Sequence, residues 1–207
     1  MWLPFLVALT ATGALREGRP LFYWGARPPL IQARHEGAAS AEARVVEVHA
    51  AREGADLLVR FTFDRPVREA LHLADGTPVS GRLRAALDLD TDDNRRTGFA
   101  GGDKDLRTGA DLRLELGAIA MGADPEEKRS ASVMVAATLF ALTAEGKRRT
   151  LWRGDDSGDP RRVSAHDDAV ELRLPGEAVK AGPRARLILT DVDGAWDGTL
   201  GGTPGQK

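Results

Sequence analysis

Residues 87–116 read LDLDTDDNRRTGFAGGDKDLRTGADLRLEL, and the fold is decided at the two ends of this stretch. Leu87 and Leu89 alternate with Asp88 and Asp90, and Leu112, Leu114 and Leu116 alternate with Asp111, Arg113 and Glu115. A period of two puts the leucines on one face and the charges on the other, the pattern of a strand buried on one side only. Between these strands lies an acidic loop. Seven of the nineteen aspartates (88, 90, 92, 93, 103, 105 and 111) fall between Asp88 and Asp111, with no glutamate and with the only asparagine, Asn94. Short carboxylates and a carboxamide at every second position of a tight loop suit a hard cation, since Ca²⁺ takes about six to eight oxygens at about 2.3–2.6 Å. Crowded carboxylates also repel one another unless a divalent ion sits among them. The stretch therefore predicts a β domain organised around calcium. Asp88, Asp90, Asp92 and Asp111 are candidate ligands, and Asp103 and Asp105 face either a second ion or solvent. The alternative for the same residues is a solvated turn neutralised by Arg95, Arg96, Lys104 and Arg107.

Outward from this loop the period of two persists. Val46, Val48 and Ala50 share one face, the segment Arg52 to Asp56 supplies a turn, and Leu57, Val59, Phe61 and Phe63 share the apolar face of the returning strand. Leu71 to Ser80 reads as a short strand with an Asp75-Gly76 turn. Ala131 to Leu142 is apolar on both faces, as in a central strand covered twice or, by periodicity alone, a buried helix. Thr150 to Arg153 returns from it, Val170 to Leu174 and Ala185 to Leu189 alternate, and Pro175 to Val179 fits one helical turn. About nine short strands and no internal repeat predict an all-β, two-sheet antiparallel sandwich, of jelly-roll or immunoglobulin-like type, over residues 44–193. Residues 15–43, broken by Pro20, Pro28 and Pro29, read as a tether or wrapping segment that Leu21 to Trp24 pin to the domain. Residues 194–207, rich in glycine, read as a flexible tail.

The remaining loops carry weaker signals. Asp155, Asp156 and Asp159 suit ordinary turns, as do Asp191, Asp193 and Asp197, and the four histidines show no metal-ligand spacing. Trp152 reads as partly buried cover.

Composition narrows the function classes. The formal charge of −2 and pI of about 6.1 provide no basic field for nucleic acid. The absence of cysteine removes disulfides, thiolate metal sites and cysteine nucleophiles. No Gly-x-Ser-x-Gly elbow, phosphate-binding glycine loop, His-Glu-x-x-His or dinucleotide fingerprint occurs. Met1 to Ala14 (MWLPFLVALTATGA) has the length of a signal-peptide core and ends in small residues, so export to the periplasm or beyond is expected. Left uncleaved, this segment would be the chain's one membrane attachment.

The acidic motif LDTDDNRRTG followed by GADLRLEL, together with RVVEVHAAREGADLLVRFTF and DAVELRLPGEAVKAGPRARLILTD, resembles the extracytoplasmic β-sandwiches related to family-nine carbohydrate-binding modules and DOMON domains. The resemblance spans about Arg44 to Asp193. It implies calcium bound by Asp90, Asp92, Asn94 and Asp111, with backbone carbonyls near Thr97 and Gly98. The aromatic residues that line sugar or haem pockets in such modules have no clear counterpart here. The expected function is a non-catalytic exported binding or accessory module with a carbohydrate or an envelope protein as partner. The alternatives are an envelope-associated structural domain and a calcium-dependent hydrolase.

Overall fold

The computed structural model describes residues 18–36, 40–102, 106–121, 132–182, 184–191 and 194–200. Met1 to Ala14, the segment Gly122 to Arg129, Asp103, Lys104, Asp105 and Asp193 lie outside the described residues. Eleven strands are assigned among those described: β1 (Ile31–Gln32), β2 (Val45–Glu53), β3 (Asp56–Phe63), β4 (Arg84–Asp90), β5 (Leu112–Met121), β6 (Ser132–Leu142), β7 (Arg148–Asp155), β8 (Val163–His166), β9 (Ala169–Leu174), β10 (Arg186–Asp191) and β11 (Gly194–Thr199). They form a five-stranded sheet in the order β1-β2-β3-β9-β8 and a six-stranded sheet in the order β11-β10-β4-β5-β6-β7. Each pairing is antiparallel. The expected all-β sandwich is the observed fold.

The core lies between the sheets, and the period of two builds it. Val48, Leu57, Val59, Phe61, Val170 and Leu172 from one sheet pack against Leu87, Leu89, Leu114, Val135, Leu139, Leu187 and Leu189 from the other, all buried. Burying one such side chain stabilises the fold by roughly 1.5–3 kcal/mol. Two short helices, α1 (Val67–Leu71) and α2 (Gly176–Val179), complete the elements.

Several local expectations are corrected. Leu71 to Ser80 is not a strand. Val67, Ala70 and Leu71 bury the i, i+3, i+4 face of α1, and the segment beyond it makes a single bridge between His72 and Pro78. In β2 a bulge between Val45 and Glu47 turns Val45 inward in place of Val46. β6 buries one face only: Val133, Val135, Ala137 and Leu139 point inward, while Met134, Ala136 and Phe140 are partly exposed. Residues 194–199, expected in a tail, form β11 and pair with β10 along its whole length. Trp152 is a core residue, 6% exposed.

Candidate functional site

The acidic loop leaves the sheet at the end of β4 and re-enters it at β5, central strands of the six-stranded sheet. Its two arms are paired to each other. Phe99 N–H donates to Ala110 C=O (2.8 Å) and Gly109 N–H to Phe99 C=O (2.8 Å). Phe99, Leu106, Ala110 and Leu142 form a small apolar core under the loop. Asp111 fixes the return: its N–H donates to Leu89 C=O (2.9 Å) and its C=O accepts from Leu142 N–H (2.8 Å). The loop is thus a folded lobe with its own core.

This framework brings Asp90, Asp92 and Asp111 together. One carboxylate oxygen from each lies within 4.8 Å of the others. Oxygens at about 2.4 Å from a common centre cannot be more than about 4.8 Å apart, so the separation fits a single calcium-sized ion. The loop holds several of these carboxylate oxygens. Asp111 Oδ2 accepts from Thr91 N–H (2.8 Å) and Thr91 Oγ1 (2.6 Å). Asn94 N–H donates to Asp90 Oδ1 and Asp92 Oδ1, both at 3.0 Å, and Thr97 Oγ1 lies 3.0 Å from both oxygens of Asp92.

One oxygen has no protein donor. Asp90 is 1% exposed, and its Oδ2 is buried without a hydrogen-bond partner. Burial pushes the Asp90 carboxyl up, and the charges of Asp92 and Asp111 add to this against the opposing N–H of Asn94. A buried carboxylate oxygen with no donor is strongly unfavourable.

The arginines do not relieve it. Arg96 gives its N–H to Asn94 Oδ1 (3.1 Å), and Arg107 gives its N–H to Asp88 Oδ2 (3.1 Å) and Nε to Thr190 Oγ1 (3.3 Å). Arg186, opposite Asp90 in the β4–β10 register, turns away to Asp197 (2.8 Å). Among the described residues no ion pair reaches Asp90, Asp92 or Asp111.

The other candidates occupy different places. Asp88 is buried against Arg113, with 3.0 Å between Oδ1 and the guanidinium, and stands apart from the triad. Burial pushes its carboxyl up, outweighing the Arg113 and Arg107 contacts. Asn94 turns its Oδ1 to Arg96, and Thr97 serves Asp92 through its hydroxyl. Asp103 and Asp105 lie outside the described residues. In the second acidic loop Asp155 Oδ1 accepts from Ser157 N–H, Ser157 Oγ and Gly158 N–H, and Asp156 Oδ1 accepts from Val135 N–H of β6 (3.0 Å).

Gly98 explains why the loop closes. Its φ is +67°, and a Cβ there would lie 2.5 Å from Ala110 O and 2.8 Å from Asp111 Oδ1. Gly98→Ala is expected to cost about 2–4 kcal/mol from left-handed strain plus overlap with backbone. Gly54→Ala is the control. Gly54 has φ of +61° but nothing within 4 Å of its Cβ position, so only the strain of about 1–2 kcal/mol applies. Denaturant unfolding of the two variants measures the difference, and equal losses would mean that the two arms of the loop are not in the close contact described.

Sequence reasoning missed a third buried carboxylate, Glu171 on β9, 1% exposed on the outer face of the five-stranded sheet. Its contacts come from residues far away in the chain, so no local pattern marks it. The chain matches no known protein family, no curated protein and no solved structure.

Proposed function

We propose that this protein is a non-catalytic, extracytoplasmic binding or accessory module whose β-sandwich is stabilised by one Ca²⁺ ion held by Asp90, Asp92 and Asp111. The observation that carries this reading is Asp90 Oδ2, a buried carboxylate oxygen without a donor, in a side chain grouped with two further carboxylates that no ion pair among the described residues reaches. The donor set is all oxygen and carries a charge of about −3, which selects a hard cation. Calcium suits it better than magnesium because the donors come from an irregular loop, whereas Mg²⁺ demands near-ideal octahedral geometry.

The ion's role is structural. Asp90 ends β4 and Asp111 precedes β5, so a shared ion ties together the strand ends between which the loop closes. Asp90 is itself buried, which suits a stabilising ion better than one that meets a large substrate. A cysteine-free domain outside the cytoplasm gains from such a tie, because calcium there reaches the range that weak extracellular sites need. The partner proposed is a carbohydrate or an envelope protein, in line with the resemblance of the acidic motif to family-nine carbohydrate-binding modules and DOMON domains.

The test is a pair of melting curves, one with calcium and one with chelator. Calcium at 100 times its dissociation constant should add about 2.7 kcal/mol, which for a chain of this size raises Tm by roughly 5–11 °C. Superimposed curves would end the proposal.

A further inference from the structure

Residues 18–27 cross the outer face of the five-stranded sheet like a belt, and Glu171 is its fastening. At the β8 edge Gly18 N–H donates to Ala165 C=O (3.0 Å), and Ser164 Oγ donates to Arg19 C=O (2.7 Å). Over β9, Leu21 N–H donates to Glu171 Oε2 (2.6 Å) and Trp24 Nε1–H to Glu171 Oε1 (2.9 Å). Over β2 and β3, Trp24 is buried with Ala51 and Leu58, and Phe22 packs beside them. At the far edge the chain becomes β1, paired with β2.

Five charged or titratable groups surround this fastening. His166 Nε2 of β8 lies 3.2 Å from Glu171 Oε1, and the Arg60 guanidinium of β3 lies 4.0 Å from it. Asp167, in the β8–β9 turn, is 3.7 Å from His166 Nδ1. His49 of β2 sits with its ring centroid 5.7 Å from that of Trp24 and is paired with Glu47. The same segment, Gly18 to Leu21, walls a cleft of about 750 Å³ whose other side includes Arg161, Arg162 and Pro175.

We propose that residues 18–27 form a pH-responsive strap: the Glu171 carboxylate paired with protonated His166 holds it on the sheet, and loss of either charge loosens it and opens the cleft. For the Glu171 carboxyl, burial acts upward, but His166 and the N–H groups of Leu21 and Trp24 outweigh it and hold the group below its usual range. Glu171 raises the His166 imidazole above its usual value, against burial. The two signs define one window. Glu171's contribution is lost as pH falls through its lowered value, and His166's is lost as pH rises through its raised value. The strap is therefore tightest between the ordinary carboxylate and imidazole ranges and loosens as pH rises through the raised value of His166.

Hydrogen exchange on the full chain, corrected for intrinsic rates, measures this directly. Between pH 6 and pH 8 the peptide covering 19–27 should lose protection severalfold while β4 and β10 keep theirs. His166→Gln should flatten that response, and His49→Gln should leave it intact. Glu171→Gln should lower strap protection about tenfold at both pH values, because two hydrogen bonds to a charged acceptor are weakened. Trp24→Phe changes only the strap side and should lower protection severalfold, which keeps the test alive if Glu171→Gln fails to fold. The same results are expected with calcium or chelator, which separates the strap from the acidic loop. Unchanged strap protection in Glu171→Gln or Trp24→Phe would overturn the proposal, as would a pH response that survives His166→Gln or disappears with His49→Gln.

Discussion

Replacing Asp90 by asparagine is expected to erase the calcium-dependent rise in melting temperature without weakening the chelated protein. Asp90 Oδ1 accepts the N–H of Asn94, and an asparagine oxygen in the same position keeps that bond. The other oxygen is buried and has no donor, and one oxygen of the Asp90 carboxyl lies within 4.8 Å of an oxygen from each of Asp92 and Asp111. In the variant an amide NH₂ stands there and can donate to those carboxylates, so repulsion becomes attraction. Relief of an unsatisfied buried acceptor contributes about 1–3 kcal/mol, which sets the direction expected for the ion-free form. The calcium increment of about 2.7 kcal/mol should meanwhile vanish, because an amide supplies one neutral oxygen where the ion needs an anionic one. Asp155→Asn provides the contrast. Asp155 is satisfied within its own turn, so the variant should lose some stability in both conditions and keep the full increment. An Asp90→Asn protein that melts higher with calcium by as much as the parent would show that the ion sits elsewhere.

The parts of this molecule that the sequence discloses are those governed by nearest neighbours. Alternation predicts β3, β4, β5, β9 and β10, because each sends every second residue, an apolar one, into the core between the sheets. β8 was hidden because it is only four residues long. Val163 and Ala165 enter the core, while Ser164 and His166 are buried beneath the strap, so the alternation of VSAH spans only two residues on each face. β11 was hidden by composition, since GAWDGT is a poor strand former held by its pairing with β10 and by the Arg186–Asp197 contact. The crowding of aspartates marks the loop, and the structure brings Asp90, Asp92 and Asp111 together within it. What the sequence could not do was separate Asp88 from Asp90. Both lie on the same face of β4, two residues apart, and only the register distinguishes them: Asp88 is opposite Arg113, and Asp90 is opposite an arginine that turns away.

That distinction leads to an opposite pair of outcomes. Arg113→Ala should destabilise the domain by about 3–5 kcal/mol in chelator, since it strands the Asp88 carboxylate, 1% exposed, with a single N–H donor from Arg107. Removing both charges as Asp88→Asn/Arg113→Met should recover most of this loss, because a buried ion pair often contributes little beyond an uncharged pair of similar volume. The calcium increment should persist in both proteins, because the Arg113 contact lies outside the triad and Asp111 keeps its own backbone bonds to Leu89 and Leu142. Asp90 and Arg113 thus dissociate in both directions: one substitution removes the increment and spares the ion-free fold, and the other does the reverse. Denaturant unfolding of the three variants with calcium and with chelator resolves the two terms. If Arg113→Ala abolished the increment as well, Asp88 would belong to the ion's own shell, and the lobe and the ion site would have to be treated as one unit.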